Sequence, residues 1–465
     1  MLFVLFLAVC LPAGYAVYRG LTSYALLIAL GLVLLSFLMR SEYRLPVVLL
    51  YLVVLLADSH RPLLHIQGLK LRWVVLGILV VKEMTYWAFA KAIRVRLTAA
   101  HVAFAAFLAL ALASAVYSVD PELSFKRALS VLLFGMVVFL YFWRQTDRAQ
   151  VRMDLAAFVA SLVPVVYLAE AGYALLVPDH AFLGGRLRGL SGNPNGLGEL
   201  VMITLPLVYW DLLRRRPGGR RILAAGTLAL GLGLLVLSGS RASFLALGVA
   251  VLLMTYRLAP RYFLGMLLAV AALFVLERTY HGPLSAAPAP GAQPGLAERL
   301  ADYADPAGRE EAWAKAWRMG LERPVWGHGF GTARQTFGEL EFARHSGGYP
   351  HNFVLHVFLD LGFVGVAAVL VLHVVLISYA VRCLGRGRAR AETGLPALAG
   401  ALYLAGLANA LFESWMFSAG SPTAFPFWLM AMFVIRYAVH PPGGAPRQAA
   451  GAAREVHAQT RGSQT

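Results

Sequence analysis

Apolar runs long enough to cross a membrane recur along nearly the whole of this 465-residue chain. A helix rises about 1.5 Å per residue, so roughly 17 to 25 apolar residues span the hydrocarbon core of a bilayer. The runs fall at 1–18, 21–39, 45–57, 73–90, 98–119, 127–143, 155–177, 197–212, 222–237, 242–256, 262–276, 353–381, 395–412 and 424–439. Residues 45–57 and 242–256 are short for a full crossing. Within each run the apolar residues are continuous and do not alternate, which disfavours a transmembrane β-barrel. Hydrophobic residues make up 59% and charged residues 14%, against about 25% charged in an average globular chain. So little polar surface excludes an ordinary soluble enzyme, a disordered protein and a secreted disulfide scaffold. The reading is an all-α, polytopic integral membrane protein with about 12 (12–14) transmembrane helices. It forms a single membrane domain over residues 1–465, with one long outer loop, 277–352, containing helices.

The net charge of +17 comes from 36 Arg and 5 Lys against 24 acids. Its placement argues for membrane topology and against nucleic acid. Arg214, Arg215, Arg216, Arg220 and Arg221 crowd one connector, and Arg382, Arg386, Arg388 and Arg390 another. Such clusters beside spans mark cytoplasmic loops. The connectors at 178–196, 238–241, 277–352 and 413–423 then fall on the opposite side. The connector at 58–72 is basic yet also assigned outside, and residues 440–465 form a disordered cytoplasmic tail. The N-terminus begins apolar without a basic region or a small-residue cleavage site, so 1–18 reads as a span. Cys10 and Cys383 lie at different depths, which disfavours a structural disulfide.

Residues 277–352 are the one long polar segment. It opens with a Pro/Ala/Gly tract, Pro283 to Gly295, expected to be irregular. AGREEAWAKAWRMGLERP follows with helical spacing: Trp313 and Trp317 share a face, and Glu310, Glu311, Lys315 and Arg318 supply polar ones. This helix should lie on the outer membrane surface or cap a cavity.

Polar residues beside or inside apolar runs carry the functional information, and four places stand out. Arg186 and Arg188 sit in a Gly-rich loop running into Asn193, Pro194 and Asn195. The planar guanidinium fork suits phosphate oxygens, although a plain turn binding lipid headgroups fits equally well. Arg241, among Ser238, Ser240 and Ser243, lies in a very short outer link against the positive-inside bias. Either an anionic partner or snorkelling to the interface accounts for it. PVWGHGFGT, residues 324 to 332, reads as a tight loop facing a ligand or as a turn returning the chain to the membrane. It contains His328.

The fourth place is YPHNFVLHVFLDLGFVG, from Tyr349. Pro350 suits a helix start, so His351 and Asn352 fall at or just before the first turn. The positive helix N-terminus disfavours a protonated His351, and a neutral imidazole can act as general base on a sugar hydroxyl. A capping or interfacial histidine is the alternative. His351, His356 and Asp360 do not converge on one metal by helical spacing. Lys82 and Glu83 interrupt an apolar run, marking a wet interior or an interfacial end. Glu170, Glu199 and Glu413 lie near outer ends of spans. A pyrophosphate site has no reason to gather carboxylates, so they are supporting candidates at most. No Asp-x-Asp, HExxH or P-loop pattern occurs.

In their order along the chain, these pieces resemble the O-antigen ligase and O-antigen polymerase superfamily of bacterial membrane glycosyltransferases. The matching elements are the Arg–Gly loop into Asn193-Pro194-Asn195, the Ser-x-Ser-Arg link ending at Arg241, GREEAWAKAW followed by PVWGHGFG, and His351-Asn352 with Gly362 and Gly365 after it. The resemblance implies glycosyl transfer on the periplasmic face of a Gram-negative inner membrane. The donor would be a glycan on undecaprenyl pyrophosphate and the acceptor lipid A–core, with no metal or other cofactor and no nucleic acid. Carried onto this chain, it implies that Arg188 and Arg241 hold the pyrophosphate, supported by Arg186 and more weakly by Arg309. His351 would deprotonate the acceptor hydroxyl, with Asn195, Asn352 and His328 in support. A polymerase extending lipid-linked repeats shares the same motifs. A protein O-oligosaccharyltransferase and a lipid-linked glycan transporter are further alternatives.

Overall fold

In the computed structural model, the described residues are 43–89, 97–146, 149–183, 185–214, 218–268, 307–338, 349–385 and 394–439. The expected spans at 1–18 and 21–39, the tract at 283–295 and the tail at 440–465 lie outside them, as does the end of the run at 262–276. The chain is an all-α membrane protein. Among the described residues, eight helices are long and apolar enough to cross a bilayer, and three shorter apolar helices accompany them.

In chain order the long elements are α1 (Arg44–Ala57), α2 (Pro62–Phe89), α3 (Ala99–Ala113), α4 (Pro121–Gln145) and α5 (Ala149–Leu176). There follow α6 (Pro194–Arg214), α7 (Gly219–Ser238), α8 (Arg241–Leu258), α9 (Ala307–Gly320) and α10 (Ala333–Gly338). The last three are α11 (Phe353–Gly385), α12 (Leu395–Ala410) and α13 (Ala424–Val439). A two-stranded hairpin, β1 (Phe182–Leu183) and β2 (Arg186–Leu187), stands between α5 and α6.

Lipid is as apolar as leucine, so such helices associate through close packing and polar contacts more than through a hydrophobic drive. The sequence supplies small residues where contact is closest. Ala397, Ala399, Gly400, Ala401, Ala405 and Gly406 of α12 are all buried, and α12 packs against α8, α11 and α13. α6 is the central helix, with 78% of its apolar window enclosed by protein. It therefore carries Asn195 and Glu199 into the interior of the bundle.

The connectors sort to two ends. At one end Ser59 bridges Ser191, the Arg186 guanidinium bonds Ser238, and Glu413 meets both Asn195 and His351. At the other, Gly394 lies against Trp210 and Leu258, and Arg152 bonds Thr146 and Tyr437. This is the two-sided sorting expected from the charge pattern. It also puts the basic connector after α1 at the same end as the Arg186 loop.

α11 is broken at Gly362, where φ is 63° and ψ −161°. A break inside a bundle frees backbone groups that must find partners. PVWGHGFGT supplies them. His328 N–H bonds Leu359 O at 2.9 Å and Gly329 N–H bonds Asp360 O at 2.8 Å. In return Phe363 N–H reaches Pro324 O at 2.8 Å and Val364 N–H reaches Val325 O at 3.3 Å. Asp360 completes the seam, its carboxylate accepting Gly331 N–H at 2.7 Å and Ala333 N–H at 2.9 Å. The GHGFG part of the loop thus packs on its own helix, while Pro324 to Gly327 also line an open cavity of about 580 Å³ with Ala113, Tyr117 and Arg323.

Candidate functional site

Four side chains from four separate segments form one hydrogen-bonded chain. Arg186, on β2, is buried; its Nε donates to Ser238 O at 2.8 Å and its Nη2 to Asn195 Oδ1 at 2.6 Å. Gly239 caps α7 in the left-handed region with φ 60°, and a Cβ there would stand 3.2 Å from Arg186 Nε. Glycine at this position therefore both turns the chain and admits the guanidinium. Asn195, in the first turn of α6, passes its Nδ2–H to Glu413 Oε1 at 2.8 Å. Glu413 Oε2 faces His351 Nδ1, also at 2.8 Å. An ionised carboxylate can only accept, so against it Nδ1 is the donor, and in the neutral ring Nε2 then holds the lone pair. The Glu413 side chain is 6% exposed and that of His351 27%: the carboxylate is sealed while the imidazole reaches outward.

His351 is held from both sides. It is the one non-glycine residue with positive φ, at 47°, among those described. Such a conformation persists only where neighbours over-determine it. Before it, Pro350 O accepts the indole N–H of Trp313 at 3.0 Å. After it, Asn352 is the helix cap, its Oδ1 accepting Val354 N–H at 2.9 Å and Leu355 N–H at 3.1 Å. The capping function thus belongs to Asn352, which leaves the imidazole for another. Trp313 also packs its ring 6.4 Å from that of Phe412, next to Glu413. Helix α9 thereby braces both partners of the pair.

The remaining sequence candidates take distinct places. Arg188 is half-buried, its Nε donating to His180 O at 3.0 Å. It lies close enough to His60 that its charge, after burial, pushes the imidazole below the usual histidine range. Arg241 opens α8 directly after Ser240, whose hydroxyl bonds Ser243 at 2.9 Å; Asn409 reaches Ser243 at 3.3 Å. It therefore stands at the same end as Arg186. Arg309 falls in the first turn of α9, and its side chain is outside the described residues. His328 is buried, with Nδ1–H donating to Leu359 O at 3.1 Å and Nε2 3.9 Å from Glu322. Its bonds belong to the seam at the α11 break and not to the His351 chain.

The structure departs from the expectation that carboxylates stay away. Glu413 sits at the heart of the arrangement. Glu199 on α6 accepts Thr423 Oγ1–H at 3.1 Å and lies close enough to Glu413 and Asp58 for their charges to interact. Asp58, just after α1, is pushed up to about 7 by burial, against the opposing hydrogen bonds of Gly192 and Ser191. Glu170 accepts Leu190 N–H at 2.8 Å, pinning the Arg188 loop. A sequence signal for Glu413 existed: an acid just beyond the apolar run that carries Asn409 is a functional candidate by default. Trp313 was visible only as one of a pair on a helix face. Among the described residues, no group of three His, Cys, Asp or Glu side chains could hold a metal ion.

At the opposite end, buried Glu83 pairs with half-buried Arg144 through contacts of 2.8 to 3.0 Å, and Trp87 adds a third donor at 2.9 Å. Glu83 therefore marks an interhelical lock between α2 and α4.

No curated protein matches the chain. Residues 226–370 match a family model described as O-antigen ligase. That stretch contains Arg241, Arg309, His328, His351 and Asn352, whereas Arg186, Arg188, Asn195 and Glu413 lie beyond it. The family indicates a ligase- or polymerase-type function, acting in a membrane on a lipid-linked glycan and a lipid acceptor. The match over residues 226–370 supports a likeness of this multi-pass membrane protein to the O-antigen ligase superfamily.

Proposed function

We propose that this protein is an O-antigen ligase of the Gram-negative inner membrane. It would transfer a glycan from undecaprenyl pyrophosphate to lipid A–core on the periplasmic face. The observation that carries the reading is the outward-reaching His351 imidazole, bonded to buried Glu413 at the end of the bundle where Arg186, Arg188 and Arg241 gather.

Pyrophosphate is a good leaving group, so the reaction needs charge stabilisation and one well-placed base. Arg188 and Arg241 would grip the donor pyrophosphate from either side of the Arg186 anchor. An acceptor hydroxyl attacks the anomeric carbon from the face opposite the pyrophosphate. As the new C–O bond forms, the old one breaks and its electron pair goes to the pyrophosphate oxygen. The hydroxyl proton passes to His351 Nε2. One displacement inverts the anomeric centre, and retention in the product linkage by NMR would overturn that assignment.

The test uses the purified protein in detergent with undecaprenyl-pyrophosphate glycan, with and without lipid A–core, and no added metal or nucleotide. A single step to glycan-bearing lipid A, lost in His351→Ala, supports the ligase. Laddering without lipid A–core would make the protein a polymerase using the same residues. Donor binding without product in either tube would overturn both readings in favour of transport.

A further inference from the structure

The reading of His351 as the base leaves open why a buried carboxylate, an amide and a guanidinium line up behind it. We propose that Glu413 is the positioning residue of that base, and that Asn195 and Arg186 hold Glu413 and do not touch the donor.

Three features support this. Glu413 uses both carboxylate oxygens in opposite directions, Oε2 to His351 Nδ1–H and Oε1 to Asn195 Nδ2–H, each at 2.8 Å. A carboxylate bound on both sides cannot rotate away from the imidazole, so the tautomer with its lone pair on Nε2 is fixed. The amide of Asn195 is oriented in turn, because its Oδ1 accepts from Arg186 Nη2 and leaves only Nδ2–H for Glu413. Arg186 is buried and anchored by its Nε on Ser238 O, so at least two of its donors are spent on protein. The proposal thus separates two arginines that sequence alone treated together: Arg188 faces the donor, Arg186 the machinery behind the base.

When the acceptor proton reaches Nε2, the ring becomes a cation with Nδ1–H already directed at Glu413. The carboxylate offsets that charge without moving and without taking the proton. Glu199 on α6 faces Glu413 and also Asp58 at the end of α1, and Arg186 reaches Glu413 through Asn195.

The experiment compares purified Glu413→Gln, Glu413→Asp, His351→Ala and the double variant Glu413→Gln/His351→Ala. Glycan transfer gives kcat and donor KM, and binding of undecaprenyl pyrophosphate is measured separately. Glu413→Gln keeps the side-chain shape but reverses one polar partner. It is expected to lower kcat by about a hundred-fold or more, with donor KM and undecaprenyl-pyrophosphate binding within about two-fold. Glu413→Asp is expected to recover part of kcat. In the His351→Ala background, Glu413→Gln is expected to cost almost nothing further, because its effect passes through the ring. A full additional loss in the double variant, or a change confined to KM, would overturn the positioning role. Wild-type kcat in Glu413→Gln alongside an inactive His351→Ala would also refute it while leaving the base intact. Activity in His351→Ala would instead remove the reading on which it rests.

Discussion

Replacing Gly362 by alanine tests whether the seam between α11 and the PVWGHGFGT loop holds this end of the bundle together. Gly362 has φ 63° and ψ −161°, a region essentially reserved for glycine, where an alanine costs about 1–3 kcal/mol. Its Cβ would stand 2.3 Å from Val325 O, 2.4 Å from Val325 C and 2.6 Å from Pro324 O. These are backbone atoms, so no side-chain rotation relieves the contact. The loop must retreat by about 1 Å to reach ordinary carbon–oxygen separation. That breaks Phe363 N–H to Pro324 O and Val364 N–H to Val325 O, and strains the two reverse bonds from His328 and Gly329. Each amide left unpaired costs about 1–3 kcal/mol. The sum, about 3–9 kcal/mol, corresponds to a fall in melting temperature of about 3–9 °C for a chain of this length, at ~2.1 cal/mol/K of unfolding entropy per residue. Gly77 on α2 is the control, because a Cβ there meets nothing within 4 Å. Fluorescence-monitored unfolding in detergent should show Gly362→Ala well below the parent and Gly77→Ala equal to it or slightly above. A Gly362→Ala protein melting within two degrees of the parent would show that the seam contributes little, and the reasoning would fail.

The other expectations are narrower. Arg188→Gln should raise donor KM by about ten-fold or more, as expected for a lost phosphate contact. Arg186→Gln should instead lower kcat and melting temperature; the reverse pattern would exchange their roles. Asn352→Ala should destabilise the protein by about 1 kcal/mol through loss of the cap on α11, with Asn352→Asp close to the parent in the same melts. Asp58 binds its proton more tightly folded than unfolded, so its burial opposes folding more as pH rises from about 4 to about 7, and no further above that. Asp58→Asn should therefore gain melting temperature over the parent at pH 8 and little at pH 5, and an equal difference at both values would contradict the assignment.

Much of the fold was legible because membrane helices need long apolar runs, and eleven of them appear as helices where the runs fall. His351 and Asn352 were legible as a helix start through Pro350. The partners behind His351 were not. Glu413 lies 62 positions from His351 and 218 from Asn195, and periodicity carries no information across such distances. The physical premise was also incomplete: carboxylates were set aside because they repel a pyrophosphate, yet one aimed at a histidine serves the base. The glycines of GHGFG suggested a tight loop facing a ligand; in the fold Gly327 packs on the break in α11, Gly329 on Ser118 and Gly331 on Arg127, partners that a local motif cannot name.

The position of Glu413 gives the protein an order of assembly. His351, the proposed base, sits before α11, but the carboxylate bonded to it follows α12, in one of the last described segments of the chain. A chain threaded into the membrane only as far as α11 already holds its arginines and its histidine, with the imidazole not yet locked. Competence then arrives in one step with the final helices. Two fragments divided between α11 and α12 should each be silent and should regain transfer only when they dock.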